Sequence, residues 1–129
     1  MLKTLNVLVA DDEVGVTETL LLAFRKSGHV LHAALDGEQA LAKITASPDF
    51  YHVLITDHQM PKLSGLRLVE QLRKEKFPGK IIVLSGVLTP AIEEAYKTLK
   101  VDSIIRKPFE IAELREFIDG LAEETPDPN

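Results

Sequence analysis

Carboxylates stand at Asp11, Asp12 and Glu13 and again at Asp57, a hydroxyl stands at Ser85, and an ammonium stands at Lys107. Each lies just past a short apolar run. Acids brought together in one cleft repel one another and raise each other's pKa unless a cation lies among them. A set of oxygen ligands suits Mg2+, which takes one or two carboxylates, waters and phosphate oxygens in octahedral geometry. Lys107 would add a fixed positive charge and Ser85 a hydrogen-bond donor. Together the types describe a pocket for a phosphoryl group, with its oxygens neutralised by metal and ammonium and bonded by the hydroxyl. Read singly, each residue has a plainer role. Asp11-Asp12-Glu13 could cap a helix and favour its dipole, Asp57 and Ser85-Gly86 could simply form turns, and Lys107 could be a solvated lysine.

What decides between these readings is where the elements put the residues. Leu5 to Ala10 reads as a buried strand, followed by a helix with Val16, Leu20, Leu21 and Phe24 on its apolar face that ends at Gly28. His29 to Leu35 is a second, more alternating strand. Asp36 then caps a helix carrying Ala40, Leu41 and Ile44 that stops before Pro48. Tyr51 to Ile55 is the third strand. Ser64 caps a helix with Leu66, Val69 and Leu72, broken by Phe77-Pro78-Gly79, and Ile81 to Leu84 is the fourth strand. Thr89-Pro90 opens a helix with Ile92, Ala95, Tyr96 and Leu99 at i, i+3, i+4 and i+7. A short strand near Ser103 to Ile105 leads to Lys107-Pro108. Ile111, Leu114, Phe117, Ile118 and Leu121 line a last helix, and the polar EETPDPN is expected to be frayed.

Strands alternating with helices imply a parallel α/β sheet with helices on both faces, a doubly wound domain. Ligands of such sheets sit beyond the carboxyl ends of the strands, at a switch in strand order. The acids, Asp57, Ser85 and Lys107 all fall at that end, on strands one, three, four and five.

Composition narrows the classes further. At 129 residues the chain is the size of one domain, and 45% hydrophobic with 27% charged residues is globular. The absence of cysteine excludes disulfides, thiolate zinc sites and cysteine chemistry. A net charge of -5 without blocks of like charge makes direct nucleic-acid binding an unexpected role. No secretory or membrane-spanning segment is visible, so a cytoplasmic location with no membrane attachment is the expectation. Four histidines, His29, His32, His52 and His58, show no zinc-ligand spacing, and His58 is expected to be a solvated loop residue pointing away from Asp57.

The order of acid pair, Asp, Ser and Lys-Pro over residues 3 to 121 resembles the CheY-like receiver domain of two-component response regulators. The resemblance implies a flavodoxin-like three-layer (βα)5 sandwich with strand order 2-1-3-4-5, a receiver domain over residues 1–121, and a tail or linker at 122–129. It implies that Asp57 is the phosphoacceptor, charged by a histidine kinase, a phosphotransfer protein or a small acyl phosphate. Mg2+ would be held by Asp12, Asp57 and the backbone carbonyl of Gln59, with Asp11 reaching it through water. Ser85 and Lys107 would bind the phosphoryl group, and Pro108 would follow a cis peptide bond, which X-Pro bonds adopt readily. Met60-Pro61, Gly65 and Phe109 match loop motifs of the family. The output partner or homodimer face would be helix four, strand five and helix five, including Tyr96, Lys97, Lys100 and Arg106.

The match has departures. Where the family usually carries an aromatic switch residue three positions before the lysine, this chain has Ile104. Tyr96 could substitute as a surface reporter, although its spacing favours packing on the sheet. Gln59 and Val87, two residues beyond Asp57 and Ser85, stand where the family controls water access to the aspartyl phosphate, and only Gln59 can orient water. Rival readings are an Mg2+-dependent phosphohydrolase, which wants an acid at Gln59 and a cap domain, and a nucleotide- or flavin-binding domain, which lacks a Gly-rich loop. A receiver that binds partners without phosphorylation is the remaining one.

Overall fold

The computed structural model describes residues 4–86 and 88–124. Its strands are β1 (Asn6–Ala10), β2 (Val30–Ala34), β3 (Val53–Asp57), β4 (Lys80–Ser85) and β5 (Ser103–Arg106). The helices α1 (Val14–Ala23), α2 (Gly37–Ala46), α3 (Gly65–Lys74), α4 (Pro90–Thr98) and α5 (Ile111–Glu124) alternate with them. All strand pairs are parallel and the order is β2-β1-β3-β4-β5. The alternation called for a parallel doubly wound sheet, and the strand order is the flavodoxin-like one that the resemblance implied.

The sheet divides the core in two because successive strand residues face opposite ways. Leu8, Leu54, Ile81 and Val83 pack with Ala40 and Ile44 of α2, Leu68, Val69 and Leu72 of α3 and Tyr96 of α4. Val7, Val9, Val53, Ile55, Ile82 and Leu84 pack with Leu20 of α1 and Leu114, Ile118, Leu121 and Ala122 of α5. Strands buried on both faces need apolar residues at every position, which is why the central runs show no alternation. Among the described residues no helix is long and apolar enough to cross a membrane.

Helix starts follow the expected side chains. Asp36 accepts from the Gln39 amide at 2.8 Å, Ser64 from Arg67 at 3.2 Å and Thr89 from Ile92 at 3.2 Å. Helix ends are less regular. α1 stops at Ala23, short of Gly28, and a turn through Phe24 to Ser27 precedes that glycine, which sits at φ 86. Leu21, expected on the apolar face of α1, is exposed. α3 and α4 terminate before Lys76 and Lys100, both left-handed at φ 59, a place glycine usually takes. β2 ends at Ala34 rather than Leu35, and β3 runs two residues past Ile55 to include Asp57. α5 continues through Glu124, so the start of the expected frayed tail is helical; residues 125–129 lie outside the described ones.

Two histidines brace the amino ends of the strands. The Leu5 amide donates to His29 Nδ1 at 3.0 Å and the Asn6 amide to His52 Nδ1 at 2.9 Å. With Nδ1 accepting, the neutral His29 ring carries its proton on Nε2, where it meets Asp119 at 2.9 Å. The His29 side chain is only 3% exposed. His29→Ala therefore strands a buried amide, and a loss of about 1–3 kcal/mol is expected. A lowered urea midpoint at unchanged slope would show it; an unchanged midpoint would mean that water replaces the ring.

Candidate functional site

The parallel register assembles the site. Ala10 pairs with Thr56, and Asp57 with Leu84, so Asp11, one residue past the end of β1, lies beside the end of β3. Ser85 pairs with Arg106, and the Lys107 amide donates to the Ser85 carbonyl at 2.8 Å, one step beyond the last β5 residue. These contacts draw the Lys107 backbone against β4. The Lys107–Pro108 peptide bond is cis.

The Lys107 ammonium lies among carboxylates. Its Nζ is 2.9 Å from Asp11 Oδ2, 3.5 Å from Asp57 Oδ2 and 3.7 Å from Glu13 Oε1. Burial pulls its pKa down, but the hydrogen bond and charge of Asp11, with the charges of Asp57 and Glu13, outweigh burial and hold it above the usual lysine value. In Asp57 burial prevails instead. Burial pushes its carboxyl above the ordinary carboxylate value, against the pull of Lys107, and nearby Asp11 pushes it further. The His58 amide donates to Asp57 Oδ1 at 2.7 Å and offsets part of this.

The acids are not consumed in capping. Glu13 is the N-cap of α1 but makes no side-chain capping bond, and Asp11 Oδ1 instead accepts from the Glu13 amide at 2.9 Å. One oxygen from each of Asp11, Asp12 and Asp57 can be chosen so that all lie within 4.8 Å of one another. Asp11 and Asp57 are buried while Asp12 is exposed. One ammonium faces several carboxylates here, and the spare negative charge, offered by hard oxygens open to solvent through Asp12, fits Mg2+ rather than a thiolate- or imidazole-bound metal.

A cleft of about 400 Å³ opens above these groups, lined by Asp12, Glu13, Asp57, Gln59, Ser85, Gly86 and Lys107. Ser85 is buried at the end of β4, and the Gln59 side chain is exposed at the rim. Ile104 sits half-buried on β5, opposite Val83. Val87 lies outside the described residues.

Two expectations need correction. His58 is not a solvated loop residue: it is half-buried and its Nδ1 lies 2.7 Å from Tyr96 Oη in a shared hydrogen bond. Tyr96 is wholly buried and cannot belong to a partner face. Both departures have one cause, since the apolar stripe of α4 turns Tyr96 inward and its hydroxyl then requires a polar partner. The pairing had no signal in sequence beyond Tyr96 lying on that stripe. Glu13 likewise approaches Lys107 across the cleft, a contact between residues far apart in the chain.

The sequence matches the response regulator receiver domain family over residues 7–119. It is 34% identical over 121 residues to the alkaline phosphatase synthesis transcriptional regulatory protein PhoP of Bacillus subtilis (strain 168), covering 90% of this chain and 48% of that protein. It is 29% identical over 117 residues to response regulator RR06 of Streptococcus pneumoniae, covering 91% of this chain and 52% of that protein. The chain thus spans about half the length of the curated relatives it matches. Among solved structures, the receiver domain of Francisella response regulator 1452 superposes with a TM-score of 0.85 at 29% identity, covering 95% of this chain and all of that one.

Proposed function

The chain belongs to the receiver domain family of two-component response regulators, and from that premise we propose that Asp57 accepts a phosphoryl group and that the modified domain switches a binding surface. The observation that carries the reading is the Lys107 ammonium shared between buried Asp11 and Asp57 at the floor of an open, acid-lined cleft. Phosphoryl transfer asks mainly for positioning and for neutralised charge, so a carboxylate suffices as nucleophile.

In the proposed step an Asp57 oxygen attacks phosphorus. The new O–P bond forms as the P–N bond of a phosphohistidine, or the P–O bond of an acyl phosphate, breaks and returns its electron pair to the imidazole or the carboxylate. Lys107 is placed to meet the oxygens of the incoming group, and the Ser85 hydroxyl to donate to one of them. Asp11, Asp12, Asp57 and the Gln59 backbone carbonyl are the groups that would hold Mg2+. When bound, the ion supplies further neutralisation of phosphoryl charge. Hydrolysis by water at phosphorus later frees the Asp57 carboxylate and inorganic phosphate, with Gln59 at the rim able to orient that water.

The domain is a signalling switch, so its proposed self-phosphorylation and hydrolysis serve a state change and not substrate turnover. A sensor histidine kinase or phosphotransfer protein is the proposed donor, acting in the cytoplasm. The surface of α4, β5 and α5, with exposed Lys97, Lys100 and Arg106, is the proposed output or dimer face. Intact mass after incubation with acetyl phosphate and Mg2+ tests the reading: one stoichiometric phosphoryl adduct supports it. Repeated turnover of a stable phosphomonoester without an adduct would favour the phosphohydrolase instead.

A further inference from the structure

Helix α4 lies one hydrogen bond away from the loop that holds the nucleophile. Tyr96 is the buried residue of α4. Its ring stands edge-on to the His58 ring, with centroids 5.6 Å apart at 80°, and its hydroxyl is 2.7 Å from His58 Nδ1. The His58 backbone is fixed on both sides. Its amide donates to Asp57 Oδ1 at 2.7 Å, and its carbonyl accepts from the Gly65 amide at 2.8 Å. A Cβ on Gly65 would fall 2.2 Å from the Asp57 carbonyl and 2.8 Å from Tyr96 Oη. The α3 start, the nucleophile loop and α4 are therefore packed too closely to shift independently. Ile104 packs against the same core and offers no hydrogen-bonding group.

We propose that the Tyr96–His58 hydrogen bond couples the state of Asp57 to the position of α4, with both side chains acting as positioning residues. This inference rests on Asp57 being the phosphoacceptor. In an acyl phosphate the carboxyl oxygens, carbonyl or bridging, no longer share a full negative charge and accept a hydrogen bond less well than a carboxylate oxygen, so phosphorylation weakens or re-aims the His58 amide bond to Asp57. The His58 ring moves with its backbone, and Tyr96 either follows it or loses its partner. A buried hydroxyl without a partner is unfavourable, so α4 has two distinct settings rather than a continuum. The coupling is reciprocal, and a partner that holds α4 in one setting changes the readiness of Asp57 to be phosphorylated.

Tyr96→Phe removes the hydroxyl and keeps the ring. In the wild type, acetyl phosphate with Mg2+ should give the adduct and shift the methyl resonances of Ile92 and Ala95 in α4. In Tyr96→Phe the adduct should still form while those shifts are at least about twofold smaller. His58→Ala should behave alike, and it serves should Tyr96→Phe fold poorly. His58→Asn, which keeps a polar atom near the Nδ1 position, should restore part of the response. A Tyr96 with only a packing role would change stability and leave the shifts intact. Undiminished α4 shifts in a phosphorylated Tyr96→Phe or His58→Ala protein would overturn the coupling alone; absence of any adduct in the wild type would overturn the phosphoacceptor reading and the coupling with it.

Discussion

Lys107→Ala is expected to slow transfer of a phosphoryl group to Asp57 by roughly 10²–10³-fold, the loss seen when one preorganised donor to a transition-state charge is removed. Lys107 contacts Asp11 and Asp57 together, so its side chain is already placed before substrate arrives and needs no reorganisation when charge develops. The same substitution should lower stability. The Asp11 side chain is 2% exposed and, among the described residues, would keep only the Glu13 amide as a hydrogen-bond donor, so a loss of about 1–3 kcal/mol is expected. The pH dependence has a definite sign. A lysine held above its usual 10.5 contributes stability that is fully present below that value and is lost as pH rises through the higher folded value. The gap between wild type and variant should therefore be flat from neutrality to about pH 10 and close above it. Urea midpoints over that range check this, and a gap that widens with pH would contradict it.

Asp57→Asn should abolish adduct formation outright, yet leave a protein at least as stable as wild type at neutral pH. Burial raises the Asp57 pKa in the fold, and Asp11 adds to the effect against Lys107 and the His58 amide. For an acid raised in this way the ionised form is disfavoured by folding. Wild-type stability from this group is therefore greatest below the ordinary 3.8 and declines as pH rises through the folded value. Asn carries no such penalty and still accepts from the His58 amide. Its advantage should shrink as pH falls toward the ordinary carboxylate range, because both side chains are then neutral. A variant less stable than wild type at pH 7 would show that the carboxylate contributes more to the fold than its burial costs it. The expected result, a variant at least as stable as wild type, would make the site an example of strain held for function.

Legibility differed with the kind of signal. The central strands were readable because continuous apolar runs such as Val53-Leu54-Ile55 have few other uses in a chain of this size, and Asp36, Ser64 and Thr89 marked helix starts by a local rule. The strand-end position of Asp11, Asp12, Asp57, Ser85 and Lys107 followed from the alternation of elements. Strand order came from the resemblance, since nothing local to a strand names its neighbours. The left-handed helix ends at Lys76 and Lys100 carried no glycine signal, because local backbone bonds, from the Phe77 amide to the Leu72 carbonyl and from the Val101 amide to the Tyr96 carbonyl, close these turns around exposed lysines. The His58–Tyr96 bond joins residues 38 apart in different elements. Helical spacing placed Tyr96 on the apolar stripe, but only the fold brings its hydroxyl to the loop after Asp57.

The identity of the nucleophile can be read directly by trapping it. Borohydride reduces an acyl phosphate on an aspartate to homoserine, so the protein would be treated with acetyl phosphate and Mg2+, reduced, digested and mapped by mass. Homoserine at position 57 alone, dependent on the phosphoryl donor, is the expected result. Homoserine at 11 or 12, or none at any position despite a phosphoryl adduct on the intact protein, would contradict the assignment of Asp57.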